Sequence, residues 1–341
     1  MRAIVLGCYA RIIGAAAALL AGCGGSQPTI VAPDAMLQSA ASVPRAHQHA
    51  VLGNSNPALT TGIYVSEDLS RRSGIFGYPS DNRKNRGPIC SQKAQPTYDI
   101  AVDNGGNLIV PNSDGTITVF QGPDMCGRKL GTFHTIYNAD YPVDASSPDA
   151  ANGTIAVGIE QLDGSGDGIV ELCTLKSGCT TSLTGGGSID FLFAVAMSKK
   201  GDCWASSAVP TALTYWAGCA GLGQPTTGYE NSDAGGLDID NNGNLVSISC
   251  SPVNCSTPVL YVYSGCNPGC KRIGGPFPLH GRSQYGHLNG NSSRFAAADY
   301  EVGQIDIYRY TPTSLTYLYT FSHGLSGGGR MGVAYNPRSK E

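Results

Sequence analysis

Short apolar runs recur through most of the chain, separated by clusters of Gly, Asn, Asp and Ser. The clearest unit is Tyr98-Asp-Ile-Ala-Val-Asp-Asn-Gly-Gly-Asn-Leu-Ile-Val110, followed by Gly115-Thr-Ile-Thr-Val-Phe120. It reads as a strand, a polar glycine turn, a second strand, a loop and a third, alternating strand. A second unit runs Gly236-Leu-Asp-Ile-Asp-Asn-Asn-Gly-Asn-Leu-Val246, then Pro258-Val-Leu-Tyr-Val-Tyr263. Weaker copies stand at Asn152–Val157 with Gly168–Leu172, at Ala194–Met197 with Cys203–Ala205 and Leu213–Trp216, and at Ser293–Ala297 with Gln304–Tyr308.

The turn before each second strand falls at Thr61, Gly106, Gly153, Gly201, Gly243 and Ser293, in steps of 45, 47, 48, 42 and 50 residues. A period of about 40–50 residues with three or four short strands per unit marks a β-propeller. The expected fold is all-β, a propeller of about six blades, with five to seven inside the scatter of the spacing. The ends support closure. Met331–Tyr335 reads as a first strand without a second, and Gly62–Val65, followed by Gly74–Tyr78, as a second strand without a first. Pairing them completes a blade and removes exposed sheet edges.

These units resemble the NHL-repeat and gluconolactonase-like propellers, whose blades carry an apolar strand, D-x-x-G-N-L/I and another apolar strand. The pattern is clear at Asp103–Leu108 and Asp240–Leu245 and degenerate elsewhere, and the resemblance covers residues 61–341. It implies architecture; function belongs to the site. A lactonase-like member would hold a divalent cation at the tunnel mouth and use it to activate water. The starts of the first strands offer Asp99, Asp144, Asp190, Asp233, His287 and Arg330 as mouth residues.

The first residues follow another pattern. Arg2 and Arg11 precede an apolar run, Ile12–Ala21, too short to span a bilayer and of the length of a signal-peptide core. It ends in Leu20-Ala21-Gly22-Cys23, which resembles the lipobox of bacterial lipoproteins. The resemblance implies removal of residues 1–22 and lipidation of Cys23, which anchors the chain to the cell membrane. In a diderm host, Gly24 after the cysteine resembles the default route to the outer membrane. Residues 23–60 are rich in Ala, Ser, Pro, Gln and Asn and read as the lipidated cysteine and a tether. The propeller occupies 61–341.

Composition agrees with export. Only 14% of the 341 residues are charged and 46 are glycine, a turn-rich β profile. Net charge is -3; losing Arg2 and Arg11 leaves 20 basic and 25 acidic residues, or -5, with no basic footprint for nucleic acid. Of 12 cysteines, Cys8 leaves with the signal segment and Cys23 takes the lipid. The even remainder reads as disulfides in an oxidising compartment. The close spacings Cys173/Cys179, Cys250/Cys255 and Cys266/Cys270 suit bridges across turns; Cys203/Cys219 and Cys90/Cys126 would complete the set.

Catalytic motifs of the G-x-S-x-G, H-E-x-x-H and P-loop kinds are absent. Asp163, Ser165 and Asp167 open a D-x-S-x-D-G segment that could place oxygen ligands on calcium, and Asp238–Gly243 is a second such start. Neither has the EF-hand glutamate; Thr174 and Ser249 stand there. Trp204 and Trp216 read as packed between sheets. Tyr78, Tyr215, Tyr263 and Tyr300 are candidates for stacking on a sugar or protein partner, while core packing of alternate strand residues explains most of them equally well. The expected function is a membrane-anchored binding or scaffold module for an envelope protein, peptide or glycan. The alternative is a metal-dependent lactonase-like hydrolase.

Overall fold

The computed structural model describes residues 61–337, apart from 70–71, 123–126, 137–140, 161–167, 186–188, 210, 231–233 and 251–256. Among the described residues, six four-stranded antiparallel sheets form a six-bladed β-propeller. Blade 1 is ordered Arg330–Tyr335, Thr61–Leu69, Arg72–Pro79, Cys90–Gln92. Blade 2 is Ala101–Val102, Leu108–Pro111, Thr116–Phe120, Lys129–His134. Blade 3 is Tyr141–Ser146, Ile155–Glu160, Gly168–Thr174, Gly178–Leu183, and blade 4 is Asp190–Met197, Cys203–Val209, Thr211–Trp216, Gln224–Pro225. Blade 5 is Ala234–Ile239, Leu245–Ser249, Val259–Ser264, Lys271–Pro278; blade 6 is Ser283–Leu288, Arg294–Asp299, Gln304–Thr311, Ser314–Phe321.

Closure is the expected one. Ile63 pairs with Tyr335, Val65 with Val333 and Glu67 with Met331, so blade 1 takes its inner strand from the C-terminal end. Thr61 is not in a turn; it begins the strand, with a register shift before Ile63.

Each blade is covered on both faces by its neighbours, so middle strands such as Leu108–Pro111 and Thr116–Phe120 are buried throughout. The outer strand Lys129–His134 keeps exposed positions. The core is therefore six separate clusters, one per blade junction. Ile109, Ile117, Ile155 and Val157 fill the junction of blades 2 and 3. Val65, Val333, Ala296 and Ile305 fill the junction of blades 1 and 6 that closes the ring. Trp216 is fully buried and its indole N–H donates to Thr184 O of blade 3 at 3.0 Å. Trp204 donates to Cys266 O of blade 5 at 2.6 Å. Both tryptophans thus pack between sheets, as expected.

The D-x-x-G-N turns have a dual role. Asp103 accepts from Asn107 N at 2.8 Å and Asn107 Nδ2 at 2.7 Å, which closes the turn while Gly106 takes a positive φ of 86°. Its second oxygen also accepts from Ala150 N of blade 3 at 2.8 Å. Asp240 accepts from Asn242 N and Asn244 N, each at 2.9 Å, and from the Tyr310 hydroxyl of blade 6 at 3.1 Å. In blade 4 Ser198 caps the turn, accepting from Lys200 N and Asp202 N, and in blade 6 Asn289 does so, accepting from Ser293 N and Arg294 N. Any short oxygen acceptor closes this turn, so the motif decays in sequence while its geometry persists.

Three disulfides join Cys173 to Cys179, Cys203 to Cys219 and Cys266 to Cys270. Cys90 and Cys250 are disulfide-bonded as well; Cys126 and Cys255, the partners expected for them, lie outside the described residues. No helix among the described residues is long and apolar enough to cross a membrane.

Candidate functional site

The inner strands line the propeller axis and bring together several residues expected at the tunnel. Asp99 stands two residues before blade 2's inner strand, Asp144 lies in blade 3's and His287 in blade 6's; Asp238, expected in a calcium-type segment, lies in blade 5's and joins them. His287 stands between two carboxylates, with Nε2 3.2 Å from Asp99 Oδ2 and Nδ1 3.4 Å from Asp238 Oδ2. An imidazole can donate from both nitrogens only when doubly protonated. Burial pulls the His287 pKa down, but Asp99 and Asp238 outweigh it and hold it well above the usual value. The side chain is 13% exposed. It is a cationic brace that ties blade 6 to blade 5 beside it and to blade 2 across the axis.

The carboxylates also hold the backbone. Asp144 Oδ1 accepts from Ala145 N at 2.7 Å and Oδ2 from Val195 N of blade 4 at 2.8 Å. Asp238 Oδ1 accepts from Ile239 N and Oδ2 from Leu288 N of blade 6, both at 2.7 Å. Ser146 accepts from Met197 N at 3.0 Å, two residues on from the Asp144 contact. Inner strands of neighbouring blades are too splayed to share a ladder, and these side chains supply the missing acceptors. Burial and the nearby Asp99 charge push the Asp144 carboxyl well above the ordinary carboxylate range, against the opposing pull of His287 and the two N–H donors. At blade 1 the lining residue is Gly332, where a Cβ would come within 2.6 Å of Asp99 Oδ1 and 2.8 Å of Tyr98 O.

A divalent cation needs several oxygen donors aimed at one point. Here each oxygen of Asp144 and Asp238 already accepts a backbone N–H, and an imidazole occupies the space between Asp99 and Asp238. The described axial carboxylates converge on an imidazole and on backbone N–H groups, not on one open point. Among the described residues, three metal-type donors come close enough to share an ion at Glu171, Cys173 and Cys179, but the two cysteines are joined as a disulfide. Asp163, Ser165, Asp167 and Asp233 lie outside the described residues, as does Cys23, and of Asp190 only the backbone strand is described.

The exposed chemistry sits at the mouth. Arg330 begins blade 1's inner strand and lies over the Tyr98 ring, with its guanidinium carbon 3.8 Å from the ring centre. It is 5.4 Å from the Tyr141 ring and donates to the Tyr141 hydroxyl at 2.5 Å. No carboxylate among the described residues lies within ion-pair distance of it. Beside Tyr98 opens a cavity of about 80 Å³ lined by Tyr98, Val143, Glu160, Leu192, Phe193 and Tyr285. Burial raises the Tyr98 and Tyr285 hydroxyl pKa values, so both stay neutral donors.

A larger, open groove of about 510 Å³ lies over the blade 2 and blade 3 turns, lined with amides including Asn104, Gln121 and Asn152. Of the tyrosines weighed between packing and stacking, most fall on the packing side. Tyr78 and Tyr263 are fully buried and Tyr215 nearly so, while Tyr300 is half-buried. They pack between blades, because a sheet covered on both faces has no outward side. The tyrosines that matter, Tyr98, Tyr141 and Tyr285, stand at inner-strand starts, where the rule that picked Asp99 and Arg330 also finds them.

No protein-family model matches the chain, and no curated protein matches its sequence. Many solved structures are similar to it, two of them as follows. A protein of unknown function from Bacteroides caccae aligns with a TM-score of 0.55 at 10% identity, over 81% of this chain and 99% of that one. A functionally unknown protein from Desulfotomaculum acetoxidans aligns at 0.52 and 12%, over 79% and 82%. What is shared is the fold. At such identity the likeness carries the propeller architecture and no residue of the mouth.

Proposed function

We propose that this chain is an exported, lipid-anchored binding module whose propeller recognises an envelope ligand at its axial mouth. One observation carries the reading: the described buried polar residues of the axis are spent on holding blades together, while an arginine that meets no carboxylate among the described residues and a cavity stand at the mouth. A hydrolase would need the reverse, with free carboxylates or a free imidazole facing substrate. His287 has both nitrogens engaged and cannot serve as a base. Anchoring rests on the Leu20–Cys23 segment, and the disulfides agree with an oxidising compartment.

The test is capture of envelope components by the full-length protein and by a mouth variant, Arg330→Gln with Tyr98→Ala. The reading expects components enriched by the wild type and lost from a variant that still melts cooperatively. Equal capture by both moves recognition away from the mouth.

A further inference from the structure

Two opposite charges flank Tyr98: Glu160 stands with it in the cavity wall, and Arg330 lies over its ring outside that wall. Arg330 is fixed by Tyr98 and Tyr141 but meets no carboxylate among the described residues. Glu160, at the end of Ile155–Glu160, is half-buried in the cavity wall, and no hydrogen bond or ion pair reaches its carboxylate among the described residues. The rest of the wall is Val143, Leu192, Phe193 and two tyrosine rings. Holding a guanidinium still on aromatic faces removes the entropy cost of ordering it for a ligand. Leaving a half-buried carboxylate without a donor costs stability unless a ligand supplies one.

Size narrows the choice. A site for a whole small molecule is usually about 300–1,000 Å³. The cavity here, about 80 Å³, is a subsite for a short aliphatic group whose remainder stays outside. From these features we infer that the mouth binds the carboxyl-terminal residue of an α-amino-acid ligand. Its carboxylate would lie on Arg330, its α-nitrogen would donate to Glu160, and its aliphatic side chain would enter the cavity between Leu192 and Phe193. A free amino acid and a peptide C-terminus share this chemistry. A carboxylate alone would leave Glu160 unanswered, and a sugar ring would not enter. The inference rests on the binding reading above and names the ligand class for that same mouth.

Isothermal titration of the full-length protein distinguishes the sources with three probes: acetyl-glycyl-leucine with a free carboxylate, its C-terminal amide, and free leucine. The free-acid peptide is expected to bind at least tenfold more tightly than the amide, because a charge-assisted pair is removed. Arg330→Gln should abolish that preference without lowering the melting temperature, since the side chain is exposed. Glu160→Gln, which keeps an acceptor but removes the charge, should weaken free leucine more than the acetylated peptide. Tight binding of both probes identifies a free amino acid as sufficient; binding of the peptide alone identifies a peptide terminus.

Equal affinity for acid and amide, or an acid preference that survives Arg330→Gln, overturns the inference. So does failure of all three probes to bind at millimolar concentration. If these probes fail while envelope capture still depends on the mouth, the ligand class is wrong and the binding reading stands. If capture is also insensitive to the mouth, both fall.

Discussion

Replacing His287 by glutamine isolates the axial brace. The imidazole stands between carboxylates on blades 2 and 5, and Asp99 and Asp238 are 1% and 24% exposed. Glutamine keeps much of the volume and one donor group but no charge. Asp99 would then face Asp144 and Asp238 without compensation. Breaking a buried ion pair by removing one partner costs about 3–5 kcal/mol, and the partial exposure of Asp238 places this case near the lower end. At about 2 °C per kcal/mol for a domain of this size, the melting temperature should fall by roughly 6 °C. The assay is calorimetric melting at neutral pH of the wild type, His287→Gln, and the triple variant that adds Asp99→Asn and Asp238→Asn. The triple variant should recover part of the loss: it removes the stranded charges, but the Asp238→Asn amide offers one oxygen to the two backbone N–H groups, of Ile239 and Leu288, from which Asp238 accepts. A His287→Gln melt within about 1 °C of wild type would refute the brace.

Three further outcomes are expected. His287 is held in its charged form, so its contribution is complete below the unfolded value of about 6.5 and is lost as pH rises through the raised folded value. Asp144 acts in the same direction, because a carboxyl with a raised folded value favours folding only while protonated. Wild-type melting temperature should therefore decline from mildly acid to alkaline pH, with a flatter profile in His287→Gln; an equally steep profile in the variant would contradict this. Gly332→Ala should cost about 1–3 kcal/mol by driving a methyl into the backbone before blade 2, read from urea midpoints, and an unchanged midpoint would contradict that close approach. Cys23→Ala should abolish labelling by a clickable fatty acid and move the protein from the membrane to the soluble fraction; retained label would remove the anchor.

The blades were legible because their turns carry chemistry that survives divergence. Gly106 and Gly243 take positive φ where only glycine is comfortable, and Asp103 and Asp240 close the same turns. The weaker copies lacked the motif for a physical reason: Ser198 and Asn289 accept the same backbone N–H groups. Closure was legible from two half-blades at the chain ends. That Asp99, Asp144, His287 and Arg330 belong to inner strands or their approaches followed from the repeat. Their partners did not, because contacts between residues separated by 188 positions, as for His287 and Asp99, leave no local pattern. The same limit left Tyr78, Tyr215 and Tyr263 open between packing and stacking. Alternation marks an outward face only where a sheet has one, and these strands are covered on both sides. Glu160 drew no notice since it ends a second strand and shows its role only beside Tyr98 and Phe193.

The account holds that the axial carboxylates are structural acceptors, with recognition above them at the mouth. Calcium titration followed by thermal melting, on wild type and Asp99→Asn, tests this most directly. The account predicts that any calcium-induced rise in melting temperature is the same in both proteins, because no ion is held by the axial residues. A rise present in the wild type and lost in Asp99→Asn would place a cation on the axis and contradict it.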